Sequence, residues 1–145
     1  MKTTHPPTEY KGRSLGIVFL IGAQVLVGFI HVVFGFWLLS APRFEPSAGI
    51  LGSSSIPDIY SIYTIVFGCL ALLFAGLLWL QKCAGWVGTF AVLSFVIVAD
   101  LLTLLDLPSI PGIPKSACYG EITYSVIIIF YLLKESVRTK YLKNK

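Results

Sequence analysis

The sequence predicts an all-α fold, a transmembrane antiparallel four-helix bundle with both termini cytoplasmic, and three observations predict it. Hydrophobic residues make up 56% of the 145 residues and charged residues 12%, with a mean hydropathy of +0.83, well outside the composition of a soluble globular domain. Four segments approach the roughly 20 apolar residues needed to cross about 30 Å of hydrocarbon. With four spans drawn, the Lys and Arg residues fall almost wholly on one side of the bilayer.

The first span covers about 15–40, entered through Lys11 and Arg13 and stopped by Ala41-Pro42-Arg43. It exceeds the apolar region of a signal peptide, roughly 7 to 15 residues, and Pro42 would spoil cleavage after Ala41, so a retained helix is expected. The second span runs over about 59–80 and the third over about 85–107, joined by a tight hairpin at QKCA. The fourth, about 118–134, follows the proline-rich LPSIPGIPK and continues as a basic helical tail. One membrane domain is expected over 1–145, with basic cytoplasmic tails at 1–13 and 135–145.

Lys2, Lys11, Arg13, Lys82, Lys134, Arg138, Lys140, Lys143 and Lys145 lie on the predicted inside, against Arg43 and Lys115 outside. That bias reads as a topology signal in a cell membrane, and nothing in it indicates nucleic-acid binding. The outside connections are rich in Gly, Ser and Pro and read as loops or lids. No internal repeat of the kind found in transporters is visible.

Lipid gives no hydrophobic drive for helix association, so small residues and interhelical polar contacts must hold the spans together. Gln24, Gly28, His31 and Gly35 share one face of the first span, and Tyr60, Thr64, Gly68, Ala71 and Ala75 one face of the second. The third offers Gly85, Gly88, Ala91 and Ala99; the fourth, Glu121, Tyr124, Ser125 and Ile128.

His31 and Asp100 fall at comparable depth, roughly 10 to 14 Å below the outer ends of their helices. An ionisable residue in a span faces the bundle interior with a partner, so these two are expected to pair. Thr103, Tyr60, Thr64, Glu121 and Tyr124 surround them, making the outer half of the bundle polar inside. The favoured expectation is interhelical glue; the alternative is a proton or ligand site.

Other chemistry is excluded residue by residue. Cys69, Cys83 and Cys118 form no C-x-x-C and lie at different depths. A b-type haem wants two axial ligands and the spans hold only His31; four zinc ligands are absent, so no metal and no cofactor are expected. No nucleophile-base-orienter set is visible. Trp37, Trp79, Trp86, Tyr10, Tyr119 and Tyr141 lie near the predicted membrane surfaces and read as an aromatic belt. Phe29, Phe34, Phe67, Phe74, Phe90 and Phe95 lie deeper, against lipid or neighbouring helices.

The stretches GRSLGIVFLIGAQVLVGFIHVVFG and GLLWLQKCAGWVGTFAVLSFVIV resemble the uncharacterised small four-helix integral membrane proteins of archaea and bacteria. Their pattern has a basic-glycine approach to the first helix and a lysine-tryptophan hairpin between the second and third. The resemblance covers about the first 100 residues, implies the same four-span fold and brings no catalytic residues with it. The topology is also similar to that of eukaryotic membrane-organising proteins such as the MARVEL group, by analogy alone.

The function expected from sequence is a non-catalytic membrane subunit or small scaffold, packing against partner membrane proteins, copies of itself or lipid. A second expectation is a small carrier, channel or proton-linked ligand-binding protein built around His31 and Asp100. A third is a membrane enzyme acting on a lipid or quinone.

Overall fold

The chain is all-helical in the computed structural model, which describes residues 15–40 and 56–142. Five helices follow in order: α1 (Leu15–Ser40), α2 (Ile56–Trp79), α3 (Cys83–Leu104), α4 (Lys115–Leu133) and α5 (Glu135–Leu142). The first four are long and apolar enough to cross a membrane, and among the described residues there is no strand. The expectations placed on Lys2, Lys11, Arg13, Arg43, Lys143, Lys145 and Tyr10 lie outside the described residues.

Helix ends differ from the sequence expectation by a few residues, each for a local reason. The hairpin between α2 and α3 closes with Gln81 in the left-handed region, φ 54°. The Lys82 N–H donates to the Leu77 carbonyl and the Gln81 N–H to the Leu78 carbonyl, at 2.9 and 3.0 Å, which satisfies the last carbonyls of α2 in a Schellman motif. The same motif ends α3 at Leu104 rather than near 107. Asp106 takes φ 55°, with Leu107 donating to Leu102 and Asp106 to Thr103. Helix α4 starts directly after Pro114, three residues earlier than expected, because the last of the three loop prolines already holds the extended conformation that precedes a first turn.

The tightest seam joins α1 to α2. Gly28 lies against Gly68 and Ala71, and Gly35 against Ser61 and Ile65; a Cβ added to Gly68 would stand 2.6 Å from the Gly28 carbonyl oxygen. Ala71 and Ala75 are buried along the same helix. Between α2 and α3, the Phe74 ring covers Gly88, and Gly85 meets the backbone at Leu77 and Leu78. Ala91, expected to be a packing residue, is instead exposed and lines an apolar groove with Tyr63 and Phe95. Helix α3 is pinned to α4 by the Trp86 indole, which donates to the Leu132 carbonyl at 3.0 Å.

The C-terminal segment, expected to be a basic tail, folds back under the bundle. Helix α4 stops where Lys134 takes an extended ψ of 129°, and α5 buries Val137 and Tyr141. The Tyr141 hydroxyl donates to the Leu78 carbonyl at 3.1 Å. Tyr141 therefore belongs to the core rather than to an aromatic belt, whereas Trp37, Trp79 and Tyr119 are exposed.

Two apolar clusters close the bundle at its ends. One joins Ile17, Leu20, Ala75, Leu78, Leu93, Leu132, Val137 and Tyr141. The other joins Tyr60, Ile113 and Cys118, with Leu38, Leu104 and Ile110 against them. The proline-rich connection thus tucks Ile113 inward as a plug. Gly68→Ala is expected to destabilise the protein by about 1–3 kcal/mol, because the added methyl meets backbone that cannot yield. Gly76→Ala, with open space around it, is expected to be neutral or to gain up to about 1 kcal/mol. Thermal unfolding of both variants in detergent measures the difference.

Candidate functional site

Helices α1 and α4 touch locally, where the Tyr131 ring covers Gly16 and where His31 meets Glu121. Beside the second contact lies a cavity of about 180 Å³, lined by Val27 and His31 of α1, Phe67 of α2, Val96 of α3, and Gly120, Glu121, Tyr124 and Ser125 of α4. All four long helices contribute. The volume equals that of about six waters at roughly 30 Å³ each.

His31 is held from below by its own helix. Its Nδ1 lies 2.8 Å from the Val27 carbonyl, and a carbonyl only accepts, so Nδ1 carries a proton. Nε2 is thereby turned to Glu121, whose Oε1 stands at 3.8 Å, within ion-pair range. The imidazole meets the Phe67 ring edge-on at 4.8 Å. Behind it the Phe67, Tyr63 and Tyr60 rings stack in a row along α2, with centroids 6.4 and 6.5 Å apart.

The expected pair of His31 with Asp100 does not form; Glu121 takes the place beside the imidazole. Asp100 lies one turn beyond Val96 on α3, fully buried, against the Cys118 thiol and within electrostatic range of Glu121. Neither of its carboxyl oxygens has a hydrogen-bond partner among the described residues, since the Cys118 thiol donates to the Pro114 carbonyl instead. Thr103 does not solvate Asp100 either. Its hydroxyl bonds the Ala99 carbonyl and the Ser109 hydroxyl, at 3.0 and 2.6 Å. Thr64 donates back to the Tyr60 carbonyl.

Tyr124 and Ser125 line the cavity through their carbon atoms; their hydroxyl oxygens are buried away from it and have no hydrogen-bond partner among the described residues. Of the residues named from sequence, His31, Glu121 and Tyr124 line the cavity and Asp100 lies one turn away. Tyr60 is linked to the wall through the ring stack, while Thr64 and Thr103 are spent on backbone bonds. Among the described residues no group of three or more His, Cys, Asp or Glu side chains is placed to hold a metal ion, and Cys69, Cys83 and Cys118 are free thiols.

Sequence reasoning did not single out Tyr63, Thr89 or Ser109. Thr89 is the partner of Gln24, whose amide donates to its hydroxyl at 3.1 Å in the buried interior. A polar residue as deep as Gln24 needs such a partner, and that need was the available signal. Comparison with protein-family models, curated proteins and solved structures gives no match, so the roles of these residues rest on their geometry.

Gln24 and Asp100 differ in whether they bond across helices. Gln24→Leu is expected to cost about 0.6–1.7 kcal/mol, the range for an interhelical hydrogen bond in a bilayer. Asp100→Asn keeps the size of a fully buried side chain whose carboxyl oxygens meet no described residue in hydrogen-bond geometry, so its thermal stability is expected to stay close to that of the parent chain. A loss of stability in Asp100→Asn comparable to that of Gln24→Leu would return Asp100 to a structural role.

Proposed function

We propose that the chain is a multi-pass cell-membrane protein, an antiparallel four-span bundle with both termini cytoplasmic, which acts by binding a small amphiphilic ligand between α1 and α4. The observation that carries this reading is the His31 and Glu121 pair on the wall of an otherwise largely apolar cavity. Ligand sites are mostly apolar with a few placed polar groups, and a carboxylate and an imidazole on such a wall suit an occupant that is mostly apolar and carries one polar group.

The orientation is supported by charge. Because α5 packs under the α2–α3 hairpin, Lys82, Lys134, Arg138 and Lys140 are associated with one end of the bundle. At the other, Lys115 is matched by Asp106 at 2.6 Å. An excess of basic residues marks the cytoplasmic side.

Binding suits the interior better than conduction. Toward the α5 end the core is apolar apart from the bonded Gln24 and Thr89, so among the described residues no continuous polar path runs across. The expected role of accessory subunit draws on exposed side chains such as Phe19 and Phe130, 79% and 72% accessible. Such faces suit lipid as well as they suit a partner chain.

The protein extracted from its native membrane in mild detergent is expected to carry a small-molecule adduct by native mass spectrometry. Ser125→Leu, which fills the cavity, should remove that adduct. A particle holding other membrane chains in fixed stoichiometry, with no adduct, favours the subunit reading instead.

A further inference from the structure

We propose that the end of the bundle closed by α5 binds anionic phospholipid, with Arg138 and Lys140 meeting headgroup phosphates on the two flanks of that helix.

Helix α5 lies across the end of the bundle. The apolar run of α4 stops at Leu133, and after the reversal at Lys134 the chain forms α5 over Glu135–Leu142. It starts beside the end of α4, and from its far end the Tyr141 hydroxyl reaches the Leu78 carbonyl near the end of α2. Those two ends lie on one side of the bundle, since the hairpin that follows α2 places Trp86 on the Leu132 carbonyl of α4. A helix that joins the same ends of two spans runs along the membrane surface, at the level of the headgroups. Its 8 residues cover about 12 Å, enough to pass from one helix to a neighbour roughly 8–10 Å away.

Helical period then sorts its side chains. Val137 and Tyr141 are buried against Leu78 and Leu132. Arg138 follows Val137 and Lys140 precedes Tyr141, each about 100° around the axis from its buried neighbour and in opposite senses. Glu135, Ser136 and Thr139 fall on the face turned away from the bundle. The two cations therefore flank the buried face, beside the lipid that surrounds the bundle, and the carboxylate of the helix is turned to water. Leu133 and Leu142, 44% and 41% accessible, offer acyl chains an apolar surface next to them.

Charge selects the headgroup. Lys82, Lys134 and Arg138 are exposed and Lys140 is partly so, and none of the four forms an ion pair with a described residue. The ion pairs that do form join His31 to Glu121 and Lys115 to Asp106. Glu135 is the one acidic residue at this end among the described residues, and it sits in the first turn of α5, where the helix dipole favours it. A zwitterionic headgroup would bring its own ammonium among these cations. An anionic one brings a phosphodiester alone, and Arg138 can meet two of its oxygens at once. A soluble acidic partner would approach the far face, which presents Glu135 and two hydroxyls instead.

The test titrates the full chain in a non-ionic detergent with dioleoylphosphatidylglycerol or dioleoylphosphatidylcholine, which share acyl chains and differ in headgroup. Native mass spectrometry counts the bound lipid. The parent chain is expected to bind phosphatidylglycerol at least about tenfold more tightly, since each basic residue near a surface favours anionic lipid by about fivefold. The double variant Arg138→Gln, Lys140→Gln should reduce that preference at least about fivefold, while Lys115→Gln at the opposite end and Ser125→Leu in the cavity leave it unchanged. Equal binding of the two lipids by the parent chain overturns the proposal, and that comparison does not depend on any variant folding. A preference kept in full by the double variant overturns the role of α5. One lost in Lys115→Gln or in Ser125→Leu overturns it too, placing the lipid at the other end of the bundle or inside it.

Discussion

The backbone contact of Gly28 with Gly68 decides where this bundle has room. In lipid, helices associate by packing and polar contacts rather than by escape from water, so the closest seam forms where side chains are smallest. Here that seam draws α1 onto α2. At the far side of the bundle α4 is tied to α3 by the Trp86 indole and to the hairpin through α5. Helix α1 is thereby committed to α2 and α4 to α3. The seam between α1 and α4 is the looser one, and the cavity lies there.

Polar groups sort along the same division. Gln24 with Thr89, Trp86 with Leu132 and Tyr141 with Leu78 are donor-acceptor pairs that join helices, and each removes an unsatisfied group from an apolar environment. Asp100, Tyr124, Ser125 and Tyr63 carry buried oxygens that no described residue satisfies, and so does the Gln24 side-chain carbonyl. An unsatisfied buried group costs about 1–3 kcal/mol, so these positions hold hydrogen-bonding capacity that the described residues do not use. Glue was expected from a pair of His31 with Asp100, which does not form; the bonds across helices are made by Gln24, Trp86 and Tyr141.

That misplacement shows what a single sequence encodes. Span number, the small-residue stripes at Gly28, Gly35, Gly68, Ala71 and Ala75, and the polar half of the interior were legible because hydropathy and helical period are properties of the chain itself. Pairing His31 with Asp100 used depth, which fixes one coordinate of a side chain and leaves its direction around the helix axis free. The structure turns Asp100 toward Cys118 and places Glu121 beside the imidazole. Ala91 follows Gly85 and Gly88 by helical period, yet it lies exposed in a groove that no side chain of α2 fills. Tyr141 looked like a belt residue because the reversal at Lys134 has no proline or glycine to announce it. The left-handed caps at Gln81 and Asp106 were hidden for the same reason.

Helices α1 and α4 are joined firmly through α2 and α3 and only loosely to each other, which has a mechanical consequence for a ligand bound between them. A group held between His31 and Glu121 would touch α1 and α4 at once, so its binding free energy would add to the contact between these two helices. Opening the seam separates surfaces that are largely apolar, and in lipid the exposed faces are resolvated by acyl chains at little loss. The Gly28–Gly68 seam cannot open so readily, because its backbones have no side chains between them to rearrange. Entry and exit from the bilayer would therefore proceed by movement of α4 relative to α1, with the Ile113 plug and the α5 clasp remaining closed.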